Sequence, residues 1–411
     1  MNNFFATNQN QNQSPRIYLD YAAATPLKEA VWTEMMPFFT SRFGNASSIH
    51  LEGQIAKHAL ETARTKVARI LEIKSAGVIF TASGTESNNL AILGHLEFLH
   101  KQGRAFNEME VVTTGIEHPS IGEVMKKVAA WGVVVKYVEV DTRGLIKIPS
   151  LQAALSEKTV LVTFAYANSE VGAVQPVLKL VRQVRRWEGE QEHQGGQKSA
   201  IFVHLDAAQA PLWLPCAFKQ LGVDSLALDA GKCYGPKGVG VLAFRDKLAI
   251  TPQLLGGEQE EGLRSGTENV AGIVGMAKAL ELAQADFKNR SEKVAKVRDE
   301  AFVLLKEIFG EAVEINGGGG SERLPNNINF SLLDVDTEFA VVYLDKHGVA
   351  ASTKSACAGA GGGQSAVVLA LTGDAARART TIRFSLGEDT TLDDIKTALT
   401  ILQKFKNELQ V

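Results

Sequence analysis

Cysteine is scarce in this chain. Cys216, Cys233 and Cys357 are the full complement in 411 residues, an odd number with no Cys-x-x-Cys pair. Such usage excludes a disulfide framework, points to a reducing compartment such as the cytoplasm, and leaves no cysteine-based structural zinc site. Charge of one sign is missing as well. With 43 basic and 46 acidic residues the formal net charge is −3, so no overall field draws the protein to nucleic acid or to an anionic membrane. No apolar run is long enough to span a bilayer, and no basic stretch followed by an apolar core marks a secretory signal. The histidines show no metal-ligand spacing, and no internal repeat is visible.

What is present is the balance of a globular protein, with 45% hydrophobic and 22% charged residues. The opening Asn/Gln-rich stretch, residues 1–15, reads as a disordered tail. From Arg16 onward apolar strand-like runs alternate with helical patterns. Val78–Thr81, Glu110–Thr114, Val133–Val140, Thr159–Tyr166, Ile201–Leu205 and Ser225–Leu228 read as strands. Helices are expected over Ser48–Leu71, Asn88–His100 and Ser120–Trp131. This rhythm predicts an α/β fold with a mainly parallel central sheet covered on both faces. Val239–Phe244 is expected to run antiparallel, because only a tight Gly-Pro turn precedes it. Glu188–Lys198 reads as a solvated insertion. A single long helical pattern over Asn269–Phe309 leads into a different rhythm: strand Asn327–Leu332, helix Thr337–His347, strand Val349–Ser352, a Gly-rich loop, strand Thr381–Ser385 and a helix from Leu392. Residues 16–275 are read as a large domain, whose N-terminal segment can join the smaller one. Residues 276–411 are read as a small α/β domain carrying the Cys357 loop.

Ligands of open α/β sheets sit at the carboxyl ends of the strands, and the chemically informative residues collect there. Ser83-Gly84-Thr85 joins a strand to a helix, which suits a phosphate or an ordinary N-cap. Asp206 ends a strand, with Gln209 three residues on; a carboxylate there calls for a cation such as a protonated ring nitrogen, or serves as a helix cap or metal ligand. Lys232 follows the next strand and precedes Tyr234-Gly235-Pro236-Lys237-Gly238. A lysine so placed can attack a carbonyl or lie at the surface; an anion-binding turn, an acid and a lysine on strand ends together favour the reactive role. Arg383, within an apolar strand, needs an anion: a substrate carboxylate or an internal salt bridge. His118 can stack on a flat ring or shuttle a proton. Cys357, in Thr353-Lys354-Ser355-Ala356-Cys357 before a run of glycines, is either a nucleophile aided by Lys354 or a buried thiol. Cys216 and Cys233 read as structural, with Cys233 turned away from Lys232's face if the backbone is extended there.

Taken together, Leu19–Pro26, Phe43–Ser47, Thr81–Asn89, Glu117-His118, Ala167–Gly172, His204–Gln209, Lys232–Gly240, Arg264–Thr267, Ser355–Cys357 and Ile382–Gly387 resemble the cysteine desulfurases. These are class V members of the fold-type I enzymes that use pyridoxal 5′-phosphate (PLP). The resemblance covers the chain from about Tyr18 onward. It implies that Lys232 carries PLP as a Schiff base and moves protons at the substrate Cα. Asp206 pairs with the pyridine nitrogen, and His118 stacks on the ring and serves in proton transfer. Gln209 and Asn168 face the phenolic oxygen, Asn168 also lying near the substrate carboxylate. Gly84 and Thr85 bind the phosphate, and Thr267 reaches the phosphate of a neighbouring subunit in a homodimer. Arg383 binds the carboxylate of L-cysteine. Cys357 takes the sulfur as a persulfide, leaves alanine, and passes the sulfur to an acceptor such as an iron–sulfur scaffold or a tRNA-thiolation protein. Selenocysteine lyase, or a related C–S lyase, is the rival activity. No metal site is implied. One stretch departs from the family: Asp229-Ala230-Gly231 stands where Ser-Gly-His usually precedes the lysine. A carboxylate facing phosphate is repulsive, so Asp229 is expected to turn away or pair with a cation, and phosphate anchoring to be weaker than in typical relatives.

Overall fold

A computed structural model describes residues 16–193, 200–245, 249–353 and 363–408. The expected tail over residues 1–15 lies outside the described residues, as do Cys357 and the glycines after it up to Gly362. The strands in chain order are β1 (Ile17–Tyr18), β2 (Val78–Thr81), β3 (Glu110–Thr114), β4 (Val134–Val138), β5 (Thr159–Ala165), β6 (Phe202–Asp206), β7 (Ser225–Asp229), β8 (Gly240–Phe244), β9 (Val313–Ile315), β10 (Asn327–Leu332), β11 (Val349–Ala350) and β12 (Thr381–Ser385).

Seven strands form the central sheet in the order β2-β8-β7-β6-β5-β3-β4. Neighbours from β7 to β4 are parallel, while β8 is antiparallel to both β2 and β7. β2, β5, β7 and β8 are buried along nearly their whole length. This is why they read as continuous apolar runs rather than alternating ones. Helices cover the sheet because each has an apolar face to bury. The helix Leu51–Leu71 turns Ala56, Leu60, Ala63, Val67 and Leu71 inward. A smaller three-stranded antiparallel sheet, β12-β10-β9, packs with the helices Phe287–Phe309 and Leu392–Glu408. The first ordered strand does not extend the large sheet: β1 pairs in parallel with β11, Ile17 opposite Val349.

Two features differ from the sequence reading. The long helical pattern is two helices, Val270–Ala285 and Phe287–Phe309, broken at Asp286 (φ −135°, ψ 24°). Asp286 accepts from Asn289 Nδ2 at 2.6 Å; such a local side-chain bond competes with helix continuation. The first part of the solvated insertion, to which no helix is assigned from the sequence, belongs to the helix Val177–His193. Arg185 there pairs with Glu188, and Arg186 with Glu190 one turn on.

One buried ion pair ties the helices to the sheet edge. Arg64 donates to both oxygens of Glu260 at 2.8 Å and to the Val78 carbonyl at 2.6 Å, and Phe80 N–H donates to Glu260 at 2.8 Å. Glu260 is only 2% exposed. Removing one partner strands the other charge. Glu260→Ala is expected to lower unfolding stability by about 3–5 kcal/mol, and Arg64→Met/Glu260→Leu to lose clearly less. Urea titration measures both, and a loss under about 1 kcal/mol for Glu260→Ala contradicts the buried-pair account.

Candidate active site

The carboxyl ends of β2, β3, β5, β6 and β7 open onto one cavity of about 150 Å³. Gly84 and Thr85 follow β2, His118 follows β3, Asn168 follows β5, Asp206 ends β6, and Lys232 lies just beyond β7. All of these line the cavity, with Gln209 from the turn after β6 and Arg383 from β12. Thr267 does not line it; it is exposed on the loop that follows Arg264, whose Nε donates to Glu86 at 2.9 Å.

Asp206 is buried and fixed. Its Oδ2 accepts from Asn88 Nδ2 at 2.9 Å and its Oδ1 from Ala208 N–H at 3.0 Å. Asn88 is one turn beyond Gly84 on the same helix, so one helix supplies both the cavity edge and the clamp on Asp206. Asn88 Nδ2 also donates to Ser120 Oγ at 2.9 Å, and Asn88 Oδ1 lies 3.0 Å from His204 Nε2. With both amide protons spent, Asn88 Oδ1 accepts, so His204 carries its proton on Nε2 and Nδ1 accepts from Ser225 Oγ at 2.8 Å. Burial pushes the His204 pKa down to about 3, so the ring is the neutral link this network requires.

His118 caps the helix Pro119–Ala130. Its Nδ1 accepts from Ser120 N–H at 3.1 Å and lies 2.9 Å from Ser120 Oγ. Burial, helped by Lys232, holds its pKa below the ordinary value, while Asp206 acts the other way. The neutral ring therefore carries its proton on Nε2. The residue before it, Glu117, is half-buried; Thr114 Oγ1 lies 2.5 Å from its Oε1, and Ala165 N–H donates to its Oε2 at 2.8 Å.

Lys232 Nζ donates to the carbonyls of Ala22 at 3.0 Å and Ala23 at 2.5 Å, and Gln209 Nε2 donates to Ala22 at 3.0 Å. Both side chains thus rest on one backbone carbonyl that itself borders the cavity. The residues around Lys232 form a single tight turn, Ala230–Lys232, rather than extended chain. Cys233 is turned away by this turn and not by strand alternation: its thiol lies 3.5 Å from the Ala230 carbonyl, in the core with Leu19, Met35 and Trp213. Burial raises its pKa to about 12 and raises that of Cys216 further still. Tyr234 follows at φ 60°, a left-handed conformation that strains a non-glycine residue.

Arg383 is 1% exposed, donates to the Ser169 carbonyl at 3.0 Å and pairs with Asp20 at 2.6 Å. The internal salt bridge exists, yet Arg383 still borders the cavity. Its buried Nε has no hydrogen-bond partner among the described residues. Asn168 is held rigidly, Oδ1 accepting from Glu170 and Val171 N–H and Nδ2 donating to Ile116.

Asp229 departs from expectation. It neither turns away from the cavity nor forms an ion pair among the described residues. It lines the cavity, with Oδ2 accepting from Gly84 N–H at 3.0 Å and Oδ1 from Gly231 N–H at 2.9 Å. The reason is local: the carboxylate caps the Ala230–Lys232 turn, and that conformation carries it across to the N-terminus of the helix Gly84–Lys101, where negative charge is favoured. Ser83 acts as the N-cap of that helix, its hydroxyl accepting from Glu86 N–H at 3.1 Å. Asn88, Ser120, His204, Asp20 and Asp229 are site residues that sequence reasoning did not assign. Of these, only Asp229 stands out in the sequence, as a departure from the family's Ser-Gly-His before the lysine.

Comparison with known proteins gives a consistent picture. The aminotransferase class-V family matches residues 17–397. The chain is 38% identical to the cysteine desulfurase IscS of Dictyoglomus turgidum over 96% of this chain and 95% of that protein. It is 35% identical to the cysteine desulfurase IscS of Clostridium botulinum over 95% of this chain and 94% of that one. Among solved structures, a NifS-like protein superposes with a TM-score of 0.85 at 32% identity, covering 95% of this chain and 99% of that one. The structure described as SspA in complex with cysteine does so at 0.75 and 29%, covering 91% and 100%.

Glu117 and His204, both close to the cavity, give opposite pH dependences. Burial raises Glu117 from 4.5 to about 8. Between those values the folded state keeps a proton that the unfolded chain has lost, and stability falls as pH rises. His204 falls from 6.5 to about 3, so in that window stability falls as pH drops. The two offset each other between pH 4.5 and 6.5, and above that Glu117 acts alone. Urea unfolding from pH 6.5 to 8 is expected to lose stability in the wild type relative to Glu117→Gln, with a slope difference of up to about 1.4 kcal/mol per pH unit. Parallel curves contradict a protonated Glu117.

Proposed function

The chain belongs to the aminotransferase class-V family, and on that footing we propose that it is a PLP-dependent L-cysteine desulfurase that forms alanine and transfers sulfur through Cys357. The observation that carries this reading is the convergence of Lys232, Asp206, His118 and Arg383 on one cavity. The 38% identity to a cysteine desulfurase over nearly the full chain names the reaction.

The residues fit PLP. Asp206, immobilised by Asn88 and Ala208, is the counter-charge for a pyridine nitrogen. His118 supplies a flat neutral ring, Gln209 and Asn168 supply polar groups for the phenolic oxygen side, and Lys232 supplies the amine. Gly84 and Thr85 would take the phosphate, with Thr267 contributed from a neighbouring subunit. When bound, PLP supplies an electron sink for charge developing at the substrate Cα. Lys232 holds the cofactor and moves the proton at Cα; release from the Ala22 and Ala23 carbonyls is the movement this requires. Arg383, pre-oriented by Asp20 and Ser169, receives the substrate carboxylate. The Cys357 thiolate forms an S–S bond with the substrate sulfur as the Cβ–S bond breaks, a soft nucleophile on a soft atom.

Cys357 lies outside the described residues, but the chain on either side of its segment is pinned beside the cavity. Ser352 exchanges backbone hydrogen bonds with Arg383, and Ser365 donates its hydroxyl to Glu170, two residues after Asn168. A homodimer accords with the exposed apolar side chains Phe39, Phe43, Ile49 and Leu51, of which Ile49 is 92% exposed. Among the described residues no helix is long and apolar enough to cross a membrane. A cytoplasmic site of action and an acceptor protein of iron–sulfur assembly or tRNA thiolation complete the proposal.

Alanine and sulfide release from L-cysteine, with PLP and a thiol reductant, tests it. Lys232→Ala is expected to lose activity by roughly 10²–10⁴-fold. Cys357→Ala is expected to form no protein persulfide. Wild-type inactivity defeats the enzyme assignment, and full activity in Cys357→Ala defeats the persulfide route. Arg383→Lys is expected to raise KM for cysteine by about 10–100-fold through loss of a planar charge-assisted contact. An unchanged KM removes Arg383 from substrate binding.

A further inference from the structure

We propose that Asp229 makes this site discriminate against the anionic arm of its cofactor: its carboxylate is an internal anion seated on the Gly84 N–H, and a phosphate arm binds only by displacing it. The proposal rests on the PLP reading above and concerns a residue which that reading leaves without a role.

The observation is geometric. The helix Gly84–Lys101 starts at the cavity, and its N-terminal N–H groups are the natural donors to a phosphate. Two of them are committed within the chain. Glu86 N–H is taken by Ser83 Oγ at 3.1 Å, and Gly84 N–H by Asp229 Oδ2 at 3.0 Å. The close fit of this corner comes from β8: a Cβ on Gly240 would fall 2.4 Å from the Ser83 carbonyl carbon, so glycine there lets the Ser83–Gly84 backbone lie against the strand. Asp229 is anchored from its other side by Gly231 N–H at 2.9 Å.

Gly231 and Asp229 act together. A Cβ at position 231 would lie 3.2 Å from Asp229 Oδ1 and 3.5 Å from Lys237 Cγ. Any side chain at 231 therefore presses on the carboxylate that caps the turn. A glycine before the lysine spares Asp229 Oδ1 that tight contact.

The chemical consequence is selective. A phosphate placed on Gly84 N–H meets a carboxylate already there, and like charges at hydrogen-bond range repel. Entry requires Asp229 Oδ2 to leave the Gly84 N–H. A cofactor form with a neutral hydroxymethyl arm, pyridoxal, meets no such repulsion and leaves Asp229 in place. Asp229 thus disfavours the phosphorylated form relative to the unphosphorylated one, without touching the ring or the Lys232 amine.

The test is equilibrium binding to the full-length protein stripped of cofactor, read by the absorbance of the lysine-linked chromophore. PLP and pyridoxal are titrated separately into the wild type, Asp229→Asn and Asp229→Ala. The Asn variant keeps the shape of the turn and secures the result if Ala fails to fold. Loss of the carboxylate is expected to tighten PLP by about tenfold or more, as for one charge-assisted contact, and to leave pyridoxal within about twofold. Inorganic phosphate is expected to raise the melting temperature of Asp229→Asn more than that of the wild type. Equal PLP affinity in wild type and Asp229→Asn overturns the proposal. So does equal tightening of PLP and pyridoxal, which would place the effect at the ring or at Lys232. Absence of a lysine-linked chromophore in every protein overturns the PLP reading itself, and this proposal with it.

Discussion

The buried carboxylate of Asp206 is the constraint around which the site is organised. It ends a strand in the interior of the sheet and is clamped by Asn88 and by the backbone of Ala208. Asn88 can clamp it only because a neutral His204 occupies its other end and Ser225 fixes the His204 tautomer. The same amide orients Ser120, which orients His118. One hydrogen-bonded network thus runs from the sheet core to the ring-facing histidine. A network with every member satisfied is rigid, and rigidity is what a site needs to hold a charge at a fixed place.

Against this fixed floor, the sides of the cavity have work to do on binding. Lys232 and Gln209 share the Ala22 carbonyl, Arg383 holds Asp20, and Asp229 covers the first N–H of the helix Gly84–Lys101. Most groups that a cofactor or substrate would engage already hold an internal partner, and Arg383 Nε, which has none among the described residues, is the exception. At Lys232, Gln209 and Asp229 binding therefore exchanges partners rather than filling unsatisfied positions, which limits the cost of burying those polar groups.

Much of this was legible in the sequence. The apolar runs of β2, β5, β6 and β7 are long enough to identify buried parallel strands, and chemistry at their carboxyl ends follows from the architecture, which is how Asp206 and Lys232 stand out. β8 was recognised as antiparallel from the shortness of its connection. Other features depend on contacts between segments far apart in the chain. β1 pairs with β11, and Arg383 meets Asp20, across more than 300 residues, and no local pattern announces either. His204 and Ser225 look like ordinary strand residues until the sheet sets them side by side. Asp229 is conspicuous as a departure, but repulsion alone suggests that it turns away or pairs with a cation. The capping geometry of the turn before Lys232 sends it the other way.

The central claim is that Lys232 carries the cofactor and Cys357 the sulfur of one reaction. Borohydride trapping of the PLP-loaded protein, followed by peptide mass mapping before and after exposure to L-cysteine, tests it most directly. A pyridoxyl group on Lys232 and, after cysteine, an added sulfur on Cys357 are the predicted results. A pyridoxyl label on another lysine, or sulfur on Cys216 or Cys233 in place of Cys357, would contradict the account.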